Sequence, residues 1–181
     1  MPVKQSIQNF YKSAVDRDFS RDFLFRVTQF QLAGVEPLVD EDLVYIKTAA
    51  LPGRDITNVE APYMGLPFNV PGNATYPGSD GYAVKFYLDA DSAIRNFLER
   101  SSREIFNDLT STGNYTTPGI ENYIELQQLD KKLEPIAGGK YKLIGASLRK
   151  VEPIEYSIAE GTGNWVECSA TVAYHFYTVP G

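Results

Sequence analysis

Along much of this chain apolar and polar residues alternate with a period of two, and in two places the spacing lengthens to that of a helix. FLFRVTQF, Phe23 to Phe30, sets Phe23, Phe25 and Val27 on one side and Leu24, Arg26 and Thr28 on the other, the pattern of a half-buried strand. A second strand is expected from Leu43 to Thr48. The clearest strand is YAVKFYLD, where Tyr82, Val84, Phe86 and Leu88 alternate with Ala83, Lys85 and Tyr87. It runs straight into DADSAIRNFLERSSREIFNDL, a helix with Ile94, Phe97, Leu98 and Ile105 on one side and Asp89, Asp91 or Ser92 placed to cap it. A shorter amphipathic helix is expected from Gln5 to Val15, with Ile7, Phe10, Tyr11 and Ala14 at helical spacing. From Asn122 onward strands return: NYIELQQL, a turn at Gly138 and Gly139, KYKLIGASLRKV, a bend at Pro153, a GTGN turn, and VECSATVAYHFYT as one closing strand.

One segment breaks the pattern. NVEAPYMGLPFNVPGN, Asn58 to Asn73, starts like a strand and then exposes large apolar residues among three prolines and two glycines. Proline removes a backbone donor and glycine loosens the chain, so this reads as a loop or an edge, part of a protruding loop at about 56–81. A loop this apolar either folds back on its own domain or waits for a partner.

Composition narrows the class. At 181 residues the chain fits a single domain, 1–181, with no repeat or linker dividing it. Twelve tyrosines and ten phenylalanines against one tryptophan favour a mainly β fold. Seventeen basic and twenty-three acidic residues give a net charge of −6, which argues against ordinary nucleic-acid binding. The single cysteine, Cys168, forms no intramolecular disulfide and suits a reducing cytoplasm. No signal-peptide core and no run of about 18 apolar residues is present, so neither secretion nor a membrane-spanning segment is expected.

The search for chemistry yields structural readings. His175 is the only histidine, and on one closing strand it and Cys168, seven positions apart, point to opposite faces and form no dyad. The run Asp40, Glu41, Asp42 reads as a solvated turn rather than a metal site, and Asp89 and Asp91 as caps rather than a catalytic pair. YPGSDG and GTGN match no phosphate-binding fingerprint. Asn73-Ala74-Thr75 and Asn114-Tyr115-Thr116 fit the glycosylation sequon, which means little without secretion. The expectation is a non-enzyme with no catalytic residue, no cofactor and no metal.

IKTAALP, then YMGLPFNVPGN, then YAVKFYLDADSAIRNFLER, framed by RDFLFRV before and VAYHFY after, resemble in wording and order the tail tube proteins of contractile-tailed (myovirus) bacteriophages, relatives of type VI secretion tube proteins. The resemblance covers nearly the whole chain. It implies an α+β, mainly β domain, a β-sandwich or barrel-like tail-tube fold with a flanking helix and a short N-terminal helix. It implies hexameric rings stacked into a hollow tube through which DNA is ejected, with self, tail sheath, baseplate and tail terminator proteins as partners, in a virion tail assembled in the host cytoplasm. The protruding loop then contacts another subunit through Tyr63, Met64, Leu66, Phe68, Val70 and Tyr76. The net charge suits an acidic lumen, with Glu125, Gln127 and Glu167 as lining candidates.

Three other readings stand beside it: a tube protein of a secretion or injection system, a monomeric carbohydrate-binding β-sandwich stacking sugars on Tyr63, Tyr76 and Tyr82, and a hydrolase assembled from dispersed carboxylates and tyrosines.

Overall fold

The computed structural model describes residues 7–17, 19–32, 34–114, 118–157, 161 and 163–179. The start of the expected N-terminal helix, Thr162 of the GTGN turn, and Tyr115 and Thr116 of the second sequon lie outside them.

Helix α1 (Ile7–Arg17) carries the expected stripe, yet Ile7, Phe10, Tyr11 and Val15 are all exposed, and Phe10 meets the rings of Tyr11 and Phe19. Strand β1 (Phe25–Gln31) departs from the expected alternation: its pairing register slips between Val27 and Gln29. A bulge there reverses the faces. Val27 and Phe30, three residues apart, therefore both point into the core, while ahead of the strand Leu24 is buried and Phe23 is 61% exposed. The acidic run forms a single helical turn, α2 (Asp40–Leu43), so the second strand, β2 (Ile46–Thr48), starts three residues later than the pattern suggests.

The expected loop is a β-hairpin: β3 (Asp55–Tyr63) pairs antiparallel with β4 (Leu66–Thr75). Strand β5 (Tyr82–Tyr87) buries Tyr82, Val84 and Phe86 as its alternation predicts. Helix α3 (Ala93–Ile105) buries Ile94, Phe97, Leu98 and Ser101. Of its three candidate caps Asp89 acts, accepting from the Ala93 N–H at 2.7 Å and the Ile94 N–H at 3.3 Å. Ser92 sits in the left-handed region and makes no side-chain cap. A two-residue pair, β6 (Phe106–Asn107) and β7 (Thr112–Gly113), follows.

Strand β8 (Tyr123–Leu129) turns into β9 (Pro135–Ile144) at Asp130, not at the two glycines. Asp130 Oδ1 accepts from the Lys132 N–H at 2.7 Å and the Glu134 N–H at 2.9 Å, a side-chain-stapled turn. Gly138 lies inside β9 with φ +79°, where partners shift from Gln127–Lys140 to Leu129–Pro135. Gln127 fills this bulge, its Nε2 donating to the carbonyls of Gln128 and Ile136. Strand β10 (Ser147–Val151) precedes β11 (Glu167–Ala173) and β12 (Phe176–Thr178). The expected single closing strand thus breaks at Tyr174 and His175.

That break carries the chain between two sheets. The first has the order β1-β8-β9-β12 and the second β10-β11-β5-β2. Their facing sides share one core: Val27, Phe30, Ile124, Leu126 and Leu143 from the first meet Val84, Phe86, Leu148, Cys168, Ala170 and Val172 from the second. Phe30 is the link, edge-on to Phe86 at 5.7 Å and to Phe97 of α3 at 6.0 Å. The result is a β-sandwich with one flanking helix, a mainly β, α+β fold. Tyr82 stays in this core because its hydroxyl donates to the Ala50 carbonyl, and burial pushes its phenol well above the ordinary range.

Candidate assembly surface

The β3–β4 ribbon is built from its turn. Met64 and Gly65 both have positive φ, +50° and +82°, the two-residue type I′ turn whose twist matches a hairpin. From this turn the register Tyr63–Leu66, Pro62–Pro67, Ala61–Phe68, Glu60–Asn69 and Val59–Val70 follows. Because side chains alternate, Val59, Ala61, Tyr63, Leu66, Phe68 and Val70 all share one face. Asn58, Glu60, Pro62, Pro67, Asn69 and Pro71 share the other. Every residue of the apolar face is exposed, and among the described residues no other strand pairs with the ribbon. At its root Thr57 Oγ1 donates to the Asn73 carbonyl at 2.9 Å and accepts from the Asn73 N–H, bridging the bulge where β4 gains a residue.

Of the six expected contact residues, the structure therefore places Tyr63, Leu66, Phe68 and Val70 side by side and Met64 at the tip. Tyr76 does not join them: it is half-buried and packs edge-on against Tyr177 at 5.6 Å. Val59 and Ala61 complete the face and were missed, although their alternation with Glu60 and Pro62 is visible in the sequence.

The three lining candidates do not share a surface. Glu125 and Gln127 lie on the outer side of the first sheet, in the cross-strand rows Gln29–Glu125–Lys142 and Arg26–Gln127–Lys140. They are only 9% and 7% exposed. Glu125 pairs with Lys140 at 2.8 Å and accepts from Thr28 Oγ1 at 2.7 Å. The Lys142 ammonium lies 3.6 Å from the Tyr123 ring centroid. Glu167 belongs instead to the second sheet, where it binds Lys47, and that contact raises the lysine's pKa. Among the described residues in these rows, Arg26, Lys140 and Lys142 outnumber Glu125.

The chemical candidates stay apart as well. Cys168 is fully buried in β11, with Arg95 Nη1 at 3.9 Å from its sulfur, while His175 is exposed at the corner after that strand. They sit on separate elements, which replaces the single-strand argument and leaves no dyad. Asp42 is raised above the ordinary carboxylate range by partial burial and by Asp89 and Glu41 nearby. Among the described residues no group of three or more His, Cys, Asp or Glu side chains is arranged to hold a metal, and no helix is long and apolar enough to cross a membrane. Tyr63 at the ribbon tip, half-buried Tyr76 and buried Tyr82 make no common platform for a sugar.

No family model and no curated protein matches the sequence. Solved structures match the fold. A chain in the cryo-EM structure of the anti-feeding prophage cap, described as the tube-terminating cap, has a TM-score of 0.58 at 10% identity, covering 90% of this chain and 91% of that one. A chain of the six-fold symmetrised anti-feeding prophage baseplate gives 0.57 at 11% identity, covering 87% and 92%. A chain of the PVC sheath-tube complex, from an extracellular contractile injection system in its extended state, gives 0.53 at 9% identity, covering 98% and 99%. At such identity the likeness is one of fold.

Proposed function

We propose that this chain is the tube subunit of a contractile phage tail, one tail-tube domain over residues 1–181. Six copies form a ring, and rings stack into a hollow conduit for DNA ejection. The observation that carries the reading is the ribbon: a hairpin with a wholly apolar, uncovered face is what a lone subunit leaves unsatisfied and an assembled one covers. Its fold likeness to chains from assemblies described as a tube cap, a baseplate and a sheath-tube complex supports the same conclusion.

The sheet order adds a route to the ring. Strands β1 and β12 are the two edges of the first sheet, and pairing β1 of one copy with β12 of the next would give both of these edges a neighbour and close a continuous barrel. Glu125 and Gln127 then line the bore, with Lys140 held by Glu125 and Lys142 over Tyr123, so few cations are free to grip a phosphate backbone. Sheath, baseplate and terminator proteins are the partners this role requires, in a virion tail.

A second reading, a cap or terminator ring of a tail or injection system, is favoured by the comparable likeness to the tube-terminating cap. Sedimentation velocity and negative-stain microscopy of the purified protein across concentration separate the two. Stacked hexameric tubes are expected; single rings that never stack favour the cap, and a monomer at all concentrations overturns both.

A further inference from the structure

A ribbon that docks on another copy needs a receiving surface. A groove of about 840 Å³ lies where the chain enters β1 and where β8 turns into β9. Leu24 and Leu129 form its buried floor, and Phe19, Phe23, Leu133 and Ile136 are exposed along it. The ribbon springs from the connection between β2 and β5 of the second sheet, whereas the groove belongs to the first. Asp16, Arg21, Asp130 and Lys131 also line the groove, and an apolar ribbon face that fits a different surface on the same chain makes a head-to-tail contact, the kind that generates rings and stacks rather than twofold dimers.

We propose that the ribbon of one copy lies apolar face down in this groove of a second copy, held by side chains, with neither ribbon edge taking an added strand. This rests on the tube reading above. The edges argue for it. In a two-residue hairpin the pair flanking the turn, here Tyr63 and Leu66, is hydrogen-bonded and successive pairs alternate. The backbones of Asn58, Glu60, Pro62, Pro67, Asn69 and Pro71 therefore face outward. Along β4 that row reads Pro67, Asn69, Pro71 and presents one N–H; along β3 it ends at Pro62. A strand added to either edge would find its ladder interrupted.

The area argues for a second copy. A fully buried aromatic side chain removes about 150–250 Å² from water, so a face holding Tyr63 and Phe68 with smaller aliphatics covers on the order of 500 Å². A stable two-body interface needs about 800 Å² per partner. One ribbon in one groove is too small to hold a pair. In a closed or stacked assembly each chain both gives a ribbon and receives one, and the contact becomes sufficient.

The test uses the full chain, whose one native thiol is buried. A variant carrying Leu66→Cys and Leu133→Cys, assembled and then mildly oxidised, is expected to give a ladder of covalent multimers on a non-reducing gel. In parallel, Asn69→Pro, at an outward-facing position, should leave the assembly threshold within about twofold, whereas Phe68→Glu should raise it by about tenfold or more, both with unchanged melting of the monomer. Assembled tubes without the ladder, or tubes lost on Asn69→Pro and kept on Phe68→Glu, overturn the docking mode while leaving the tube reading in place. If the unmodified chain forms neither rings nor tubes, the tube reading falls and this inference with it.

Discussion

The imidazole of His175 occupies the space that a side chain on Gly145 would need. The two residues meet at the corner where the chain leaves the second sheet for the first, and the His175 N–H donates to the Ile144 carbonyl at 2.9 Å. Gly145 also has φ +75°, a region that costs other residues about 1–2 kcal/mol. Gly145→Ala should therefore lower unfolding stability by about 1–3 kcal/mol in urea titrations. Adding His175→Ala should recover only the part due to the ring, because the backbone strain remains.

Replacing Tyr63 to Val70 with a short Gly/Ser linker should leave the sandwich folded. Among the described residues the ribbon pairs only with itself, and none of its residues belongs to the core cluster. The expected outcome is near-normal circular dichroism and cooperative melting together with loss of tubes in electron micrographs. An unfolded product would place the ribbon within the subunit's own core.

Met64 holds a left-handed backbone conformation that asparagine tolerates better. Met64→Asn makes the turn Asn-Gly, the preferred pair for a type I′ hairpin. Amide exchange within β3 and β4 should slow, and a better-ordered ribbon should assemble at a lower protein concentration.

Asp130 staples the β8–β9 turn, and the N–H groups of Glu134 and Lys132 hold its carboxyl below the ordinary value of 3.8. A depressed carboxylate contributes stability above its unfolded pKa and loses that contribution as pH falls through the lower folded value. Asp130→Ala should melt earlier than the parent at neutral pH. The gap should narrow as pH drops below 3.8, read by thermal melts over an acid series.

The parts legible in the sequence were those where local pattern and burial agree. Tyr82, Val84 and Phe86 alternate without interruption and α3 follows at once, so both elements fall where expected. The rest was hidden by single residues. The bulge at Thr28 brings Phe30 onto the face of Val27, and Gly138 looks like a turn residue but bends a continuous strand. The closing strand divides at Tyr174 because its two halves belong to different sheets.

The ribbon was misread for a related reason. Proline forbids a strand only where its nitrogen would donate inward, and Pro62, Pro67 and Pro71 all face outward. The apolar residues were visible as a group in the sequence, but that they form one face became apparent only with the register. That Glu167 lies on a different sheet from Glu125 and Gln127 was hidden differently, since nothing local distinguishes the outer faces of two separate sheets.

The bridged root of the ribbon makes it a lever. Nine residues of β3 at about 3.3 Å each put Met64 about 30 Å from Asp55. A neighbour pulling on that tip loads the two strands from which the ribbon hangs, and these are unequal. Strand β5 is flanked on both sides, whereas β2 is a three-residue edge with two partner positions, Ile46–Phe86 and Thr48–Lys85. Under tension β2 peels first. Such peeling would act as a mechanical fuse at the border of the second sheet and leave the register of β1, β8, β9 and β12 intact.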